Sequence, residues 1–242
     1  MRLRRLFSAW VVGALSVSGI SVVEAADIGF SSVTQEEFRD FSEELGLMIS
    51  YLPVAPAEPL GILGFDAGLE TTFIDIEEDR SYWVNTTTGE APSLIFIPKL
   101  HVQKGLPFGV DVGAIYSQIS QLNVSLAGAE VKWAVIEGNA ALPAVALRGS
   151  YTKLSGVDDL SIETYGLDIS SSKGFTFVTP YVGVGQSWIR SSEKTPLPLE
   201  DEQISLSRAF VGVKVSFLVV NFVAEAHLAK TPLYTLRVNL AL

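Results

Sequence analysis

Apolar and polar residues alternate along most of the chain beyond residue 62. A period of two places successive side chains on opposite faces of a β-strand, so the pattern predicts strands. The C-terminal segment shows it most clearly. One face carries Tyr234, Leu236, Val238, Leu240 and Leu242, and the other carries Thr235, Arg237, Asn239 and Ala241. A chain that ends inside such a strand needs a partner for the strand edge, which favours a sheet closed on itself.

The alternation divides into ten segments, each close to the length that a tilted strand needs to cross a bilayer. They are residues 62–75, 93–104, 107–118, 123–136, 142–154, 160–173, 176–190, 203–217, 219–229 and 233–242. No Pro-rich linker or charge run interrupts them, so residues 62–242 form one predicted domain. We therefore predict an all-β fold, a transmembrane antiparallel up-and-down β-barrel of about ten strands with a lipid-facing side and a polar lumen.

One predicted strand has an inconsistent pattern. In 123–136 the parity of Val124 and Leu126 disagrees with that of Val131 and Trp133. A β-bulge near Ala127–Gly128 would reconcile the two halves, and so would a different strand start.

The connections between the predicted strands alternate in length. Residues 104–107, 137–141, 172–174 and 218–219 are short, whereas 76–92 and 191–202 are long and acidic. Outer-membrane barrels have short periplasmic turns and longer external loops. The pattern therefore predicts long loops outside the cell and, because the strand number is even, both chain ends in the periplasm.

Aromatic residues cluster near the ends of the strands on the lipid-facing parity. The external group is Phe73, Phe96, Tyr116, Tyr151, Tyr165, Trp188 and Tyr234, and the periplasmic group is Phe65, Phe108, Trp133, Phe217 and Phe222. Two such groups are expected at the two membrane–water interfaces. A soluble β-sandwich has no reason to place aromatic residues in this way.

The segment before the barrel contains three parts. Residues 1–25 have a basic start, an apolar stretch and small residues before Ala26, which predicts a secretory signal peptide; a membrane anchor is the alternative. Residues 34–51 predict a helix, because Thr34 and Glu37 have capping-box spacing. Its apolar stripe is Phe38, Phe41, Leu45 and Met48. Three prolines then predict an extended linker. We expect residues 26–61 to form a periplasmic plug or cap.

Charge and cysteine content narrow the compartment and the partners. Loss of residues 1–25 removes three Arg and one Glu, so the formal charge changes from −10 to −12. Nucleic-acid binding is not expected, because contacts to phosphate need a basic face. The chain contains no Cys, so neither a disulfide nor a lipid attached through cysteine is available. These features fit a bacterial envelope protein.

Most charged residues of the strands lie on the inward parity. Charges among lipid tails would be costly, so they are expected in the lumen. The predicted lumen network is Asp66, Glu70, Lys99, His101, Asp111, Glu130, Lys132, Arg148, Asp168, Arg208, Lys214, Glu225, His227 and Arg237. Its six acids and six Lys or Arg are balanced, which favours a narrow interior crossed by salt bridges over an ion-selective pore.

Candidate catalytic chemistry is sparse. His101 and His227 are predicted at opposite ends of the barrel, so they are not expected to share a site. Glu225 and His227 share one inward face and could transfer a proton, although a lumen ion pair is the simpler interpretation. No nucleophile arrangement, phosphate loop or metal-ligand spacing is present. We predict no enzyme activity, no cofactor and no metal.

Three segments resemble an uncharacterised family of small bacterial outer-membrane β-barrel proteins. They are residues 98–113, 147–158 and 179–185, within a similarity that covers most of 60–242. The resemblance implies a barrel in the outer membrane, in contact with lipid and lipopolysaccharide and assembled by the barrel assembly machinery through its last strand. It supplies no catalytic motif. Such barrels commonly end in Phe or Trp, whereas this chain ends in Leu242.

Three functional hypotheses follow from these patterns. The first is an integral outer-membrane barrel with a structural or narrow-passage role. The second is a ligand-binding or transport barrel for a small apolar compound, gated by the N-terminal helix. A hydrolase at the barrel rim is the third. A lumen crossed by ion pairs favours the first, and an open lumen with an apolar lateral exit favours the second.

Overall fold

The chain forms a closed β-barrel. The computed structural model describes residues 27–28, 33–75, 79–88, 94–119, 124–157, 159–195 and 197–242; the predicted signal peptide lies outside them. The strands are β1 Phe65–Asp75, β2 Leu94–Gly105, β3 Val110–Ile119, β4 Val124–Ile136, β5 Ala144–Ser155, β6 Leu160–Ser172, β7 Val178–Glu193, β8 Glu202–Phe217, β9 Val220–Leu228 and β10 Leu233–Ala241. Each strand pairs antiparallel with its neighbours in sequence, and β10 pairs with β1. The predicted fold class is confirmed.

The free edge of the C-terminal strand β10 pairs with the first strand, β1, and this pairing closes the barrel. Pairing runs from Leu233 opposite Ile74 to Ala241 opposite Asp66. Phe65 N donates to Leu242 O at 3.0 Å, so the barrel begins and ends at the same mouth. The even strand number had predicted this arrangement.

The two mouths differ in the length of their connections. We call one the short-turn mouth; it carries residues 106–109, 137–143, 173–177 and 218–219. The other is the long-loop mouth, where β1 is joined to β2, β3 to β4, β5 to β6, β7 to β8 and β9 to β10. A short helix, Ser81–Thr86, lies in the connection between β1 and β2.

The outer surface carries aromatic rows. Near the long-loop mouth, Tyr151, Tyr165 and Trp188 follow one another in register across β5, β6 and β7. At the short-turn mouth the rings of Phe217 and Phe222 meet edge to face, with centroids 6.5 Å apart. None of the aromatic residues assigned to the lipid-facing side is buried in the barrel. This placement suits rings that have an apolar body and lie at a membrane–water interface.

The expected bulge in β4 is absent. The register of β4 with β3 is continuous past Ala127 and Gly128, and with β5 it shifts only between Ala134 and Ile136. Leu126 instead points into the barrel, where it is only 3% exposed. The prediction failed because it assumed a polar lumen along the whole barrel. The lumen is apolar in its long-loop half, so an inward Leu is favourable there.

A helix fills that apolar half. Helix α1 spans Gln35–Ile49 and begins with the predicted capping box between Thr34 and Glu37. Its predicted apolar stripe is buried, and it shares one hydrophobic core with the inward residues Ile74, Ile97, Leu126, Leu154, Leu160, Ile162, Ile189, Ile204 and Leu233. A helix of this length is marginal alone in water, so burial of the stripe supplies most of its stability. No helix in the described chain has the length and hydropathy of a membrane span.

The helix lies in the long-loop half, away from the mouth where we expected a plug or cap. Gln35 Nε2 donates to Glu200 O at 3.1 Å, in the loop between β7 and β8. Asp27–Ile28 pair with Thr87–Thr88 in the loop after β1. Residues 50–64 then run through the lumen to β1. The N-terminal part of the described chain is therefore at the long-loop mouth and Leu242 at the short-turn mouth, so the prediction that both ends share one side is wrong.

Candidate functional site: the charged lumen and its plug

The inward parity of the strands brings the predicted charges together. Thirteen of the fourteen residues are buried, and Lys214 is half-buried. The set is Asp66, Glu70, Lys99, His101, Asp111, Glu130, Lys132, Arg148, Asp168, Arg208, Lys214, Glu225, His227 and Arg237. They line the lumen around the linker, and His227, in register with Leu233 and Phe210, reaches the core that surrounds the helix.

Every acid in this set has a basic partner. The shortest N–O contacts are Lys99–Glu70 at 3.2 Å, His101–Glu70 at 2.8 Å, Lys132–Asp111 at 2.8 Å, Arg148–Glu130 at 2.8 Å, Arg208–Asp168 at 2.8 Å, His227–Glu225 at 2.5 Å and the Arg237–Asp66 pair. Pairing of this kind is what buried charges require, because an isolated buried charge is strongly unfavourable.

One of these pairs spans an intervening strand, and a glycine makes that possible. Arg208 of β8 reaches Asp168 of β6 across Gly185 of β7. A Cβ on Gly185 would lie 1.8 Å from Asp168 Oδ1, so any side chain there would occupy the position of the ion pair. The glycine therefore leaves the space that the arginine side chain needs.

The charged residues also hold the linker that follows α1. An extended segment forms neither helix nor sheet hydrogen bonds, so its backbone groups need other partners. The contacts are Arg208 Nη2 to Tyr51 O at 3.4 Å, Val54 N to Glu225 Oε2 at 2.9 Å, Arg237 Nη1 to Val54 O at 3.3 Å, Lys132 Nζ to Pro56 O at 3.2 Å and to Glu58 O at 2.9 Å, and Leu60 N to Asp111 Oδ1 at 3.1 Å. The lumen charges are therefore a docking surface for the chain's own N-terminal segment.

Val54 is the most constrained point of the linker. Its φ is 41°, a left-handed conformation that a β-branched residue rarely adopts. Its side chain is fully buried, and its N–H and C=O are held by Glu225 and Arg237, which approach from neighbouring strands. Such conformations persist only where the surrounding structure holds them in place. Here the carboxylate of Glu225 and the guanidinium of Arg237 hold the backbone of Val54.

The two histidines are buried links between lumen side chains. Tyr51 OH lies 2.8 Å from His101 Nε2, and His101 Nδ1 lies 2.8 Å from Glu70 Oε2. A hydroxyl, imidazole and carboxylate in series can activate a nucleophile, but these three residues are at most 1% exposed. His227 is equally buried against Glu225. In the described residues no cluster of three or more His, Asp or Glu is placed to hold a metal.

The acidic side of α1 meets donors from the loops. Glu44 accepts from Trp83 Nε1 at 2.6 Å and from Tyr82 OH at 3.0 Å, and Lys230 Nζ lies 3.1 Å from Glu43. Burial, followed by the charge of Glu44, raises the pKa of Tyr82, and the bond to Glu43 raises the pKa of Lys230. Loop residues therefore provide the partners of these helix carboxylates.

Sequence reasoning missed the uncharged members of the network. Gln103 Nε2 donates to Glu130, and Asn239 Nδ2 donates to Asp66. Both lie on the inward parity, so the alternation would have identified them if amides had been counted with charges. Tyr51 lies in the linker, outside any strand, and no periodicity points to it.

The chain has only distant similarity to solved β-barrel structures. No protein-family model and no curated protein matches the chain. The N-terminal β-barrel domain of Pseudomonas aeruginosa OprF is 13% identical, with 75% of this chain and 99% of that chain covered and a TM-score of 0.36. The attachment invasion locus protein Ail of Yersinia pestis is 9% identical, with 74% and 94% covered and a TM-score of 0.33. Neisserial surface protein A is 9% identical, with 74% and 96% covered and a TM-score of 0.30. Similarity this low does not assign a family, and the resemblance noted in the sequence stays a prediction.

Proposed function

We propose that this protein is an integral outer-membrane barrel whose lumen is closed by its own N-terminal segment. Its role is then structural, or that of a narrow passage that opens only when the segment moves. The observation that carries this proposal is the docking of the linker backbone on residues that are also paired with one another. Lipid and lipopolysaccharide would surround the barrel, and the barrel assembly machinery would recognise its last strand.

The arrangement of charge argues against a permanently open ion pathway. A wide, water-filled pore presents unpaired lumen charges to passing ions, and a single-sign ring gives it selectivity. Here the acids are paired, and Asp111 and Glu225 also bond the linker, so their charge is already satisfied. Helix α1 occupies the other half, where Ser42 Oγ lies 2.8 Å from Ser191 Oγ of β7.

Conductance of a disulfide-locked protein tests the closure. The chain has no Cys, so a Ser42→Cys, Ser191→Cys variant carries a single cysteine pair, at a position where the native hydroxyls touch. A disulfide forms only when the two residues are close and suitably oriented. Spontaneous oxidation therefore shows that helix α1 lies against β7 inside the barrel. In planar bilayers we expect the oxidised double variant to show no openings and the wild type to show rare ones. Reduction of the disulfide should restore rare openings to the double variant.

The Ser42→Cys single variant, treated identically, is the control for oxidation. A steady conductance through the oxidised double variant, with the disulfide verified by mass spectrometry, would mean that the helix does not close the lumen.

The orientation is part of the proposal. Short turns face the periplasm in outer-membrane barrels, so we expect the long-loop mouth, with the start of α1, at the cell surface. Exposed Glu36 and Ala140 mark the two mouths. On intact cells a membrane-impermeant maleimide should label Glu36→Cys and spare Ala140→Cys, while both react after lysis. The reverse labelling would invert the topology.

The apolar inner wall supports a second candidate function. If α1 left the barrel, the inward side chains that now contact Leu45 and Met48 would line an apolar chamber. A small apolar compound could then enter, with the helix as its gate. The disulfide-locked variant separates the two functions. If the protein transports apolar compounds, the lock should abolish uptake of a fluorescent apolar dye. If its role is purely structural, dye uptake should be the same with and without the lock.

A further inference from the structure

The outer surface of β5–β8 is organised in rows that cross the strands near the long-loop mouth. In register, Lys153, Glu163 and Arg190 form the row nearest the loops. The next row down is Tyr151, Tyr165, Trp188 and Ser205, and the one below it is Gly149, Leu167, Gln186 and Ser207. All these residues are on the face opposite to the lumen. The rows descend from charged, through aromatic, to mixed polar and apolar.

The top row offers cationic groups above the aromatic row. Lys153 Nζ lies 2.9 Å from Glu163, and its side chain is still 48% exposed. The guanidinium of Arg190 is 5.3 Å from the centre of the Tyr165 ring, a cation–π contact, and it has no ion pair within the described chain. An outwardly held arginine above an interfacial aromatic row is placed for a phosphate.

Polar side chains lie in the aromatic row and directly below it, where a lipid-facing surface is normally apolar. Gln186 Nε2 donates to Ser205 Oγ at 2.7 Å, and Ser207 Oγ donates to Gln186 Oε1 at 2.8 Å. The three side chains satisfy one another only in part, because a Gln amide has a second N–H and a second lone pair. Intramembrane polar groups are costly and are therefore a sign of function.

A groove opens directly beneath this cluster. Its volume is about 690 Å³, and it is lined by Leu147, Leu167, Ile169, Val184, Gln186 and Ala209 among others. A second hollow of about 470 Å³ continues it and shares Ile169, Val184 and Ala209. The small side chain of Ala209 between larger apolar neighbours leaves this depression in the wall. Its surface suits hydrocarbon chains.

We propose that this face binds one molecule of a phosphorylated, multiply acylated saccharide lipid of the surrounding leaflet. Lys153 and Arg190 bind phosphate, the aromatic row packs on the sugar, the Gln186 cluster bonds an ester or amide linkage, and the groove takes an acyl chain. The order of the rows matches the order of these groups along such a lipid. The inference rests on the membrane-embedded part of the proposed function and is independent of whether the lumen is closed.

Native mass spectrometry of the detergent-solubilised full chain tests the site. The probe is a bis-phosphorylated, six-chain disaccharide lipid (lipid A). We expect one bound molecule on the wild type. A Lys153→Gln, Arg190→Gln variant should bind at least tenfold more weakly, and Ala209→Phe, which fills the groove, should also bind at least tenfold more weakly. Folding of each variant is checked by heat-modifiable migration.

Controls separate this site from general lipid contact. Lys173→Gln removes a cation at the short-turn mouth, and Val238→Phe adds bulk on the outer face of β10; both should bind like the wild type. Equal binding by all variants, or equal binding of phosphatidylglycerol, would overturn the proposal. So would a second copy of the chain occupying the face. Failure here would leave the conductance and labelling results unaffected, so it is distinguishable from failure of the proposed function.

Discussion

Replacement of Glu70 by Ala is expected to destabilise the folded barrel by about 3–5 kcal/mol, the cost of leaving a buried charge without its partner. Glu70 is the only carboxylate that contacts Lys99 among the described residues, and it also holds His101. The side chains of all three are at most 1% exposed. Urea unfolding in lipid vesicles, followed by tryptophan fluorescence, measures the change.

Two controls define the origin of this loss. Glu163→Gln removes an exposed pair with Lys153 and should change the stability by less than about 1 kcal/mol. Lys99→Met in the Glu70→Ala background removes the unpaired ammonium and should recover a large part of the loss. If the double variant is no more stable than Glu70→Ala, charge burial is not the cause.

Replacement of Gly46 by Leu is expected to unseat the helix and to open the barrel. A Cβ at Gly46 would lie 2.5 Å from Ile189 Cγ2 on β7, so a larger side chain has no space. Overpacking of this kind costs about 1–3 kcal/mol, enough to raise the unseated fraction by roughly 5- to 150-fold. Leu is a better helix former than Gly, so loss of helix propensity would not explain the result. Planar-bilayer recording should show frequent openings.

The complementary cavity is the control for this change. Ile189→Ala alone leaves the helix seated, and Ile189→Ala combined with Gly46→Leu should return the openings to the wild-type frequency. A silent Gly46→Leu protein with native heat-modifiable migration would show that the helix tolerates the clash, and that its fit against β7 does not control closure.

The strands and their two faces were predictable because membrane and lumen impose opposite solvents on alternate residues. The alternation placed Glu225 and Arg237 inward and Trp188 outward, and the structure has them there. It could not pair the charges. Arg237 is directly opposite Glu70 in register, yet its ion pair is with Asp66. Such diagonal choices depend on three-dimensional side-chain packing and are not encoded in periodicity.

The destination of the helix was also beyond the pattern, although one signal pointed to it. Phe38 and Phe41 showed only that an apolar surface needed burial, with the lumen and the membrane surface both available. Leu126, out of phase with the rest of β4, was a sign of an apolar patch inside the barrel. We considered only a bulge or a different strand start, because the lumen was assumed to be uniformly polar. A second inward apolar residue, Ile97, supports the corrected interpretation.

Residues of widely separated strands hold the linker: Asp111 of β3, Lys132 of β4, Arg208 of β8 and Arg237 of β10. A segment bound on opposite walls cannot thread easily into a cylinder that has already closed. We expect the N-terminal segment to be in place before β10 joins β1, so that it acts as an intramolecular template around which the wall assembles. The pairing of β10 with β1 is then the last to form and the first to break. The barrel wall and the N-terminal segment inside it therefore fold in one cooperative transition.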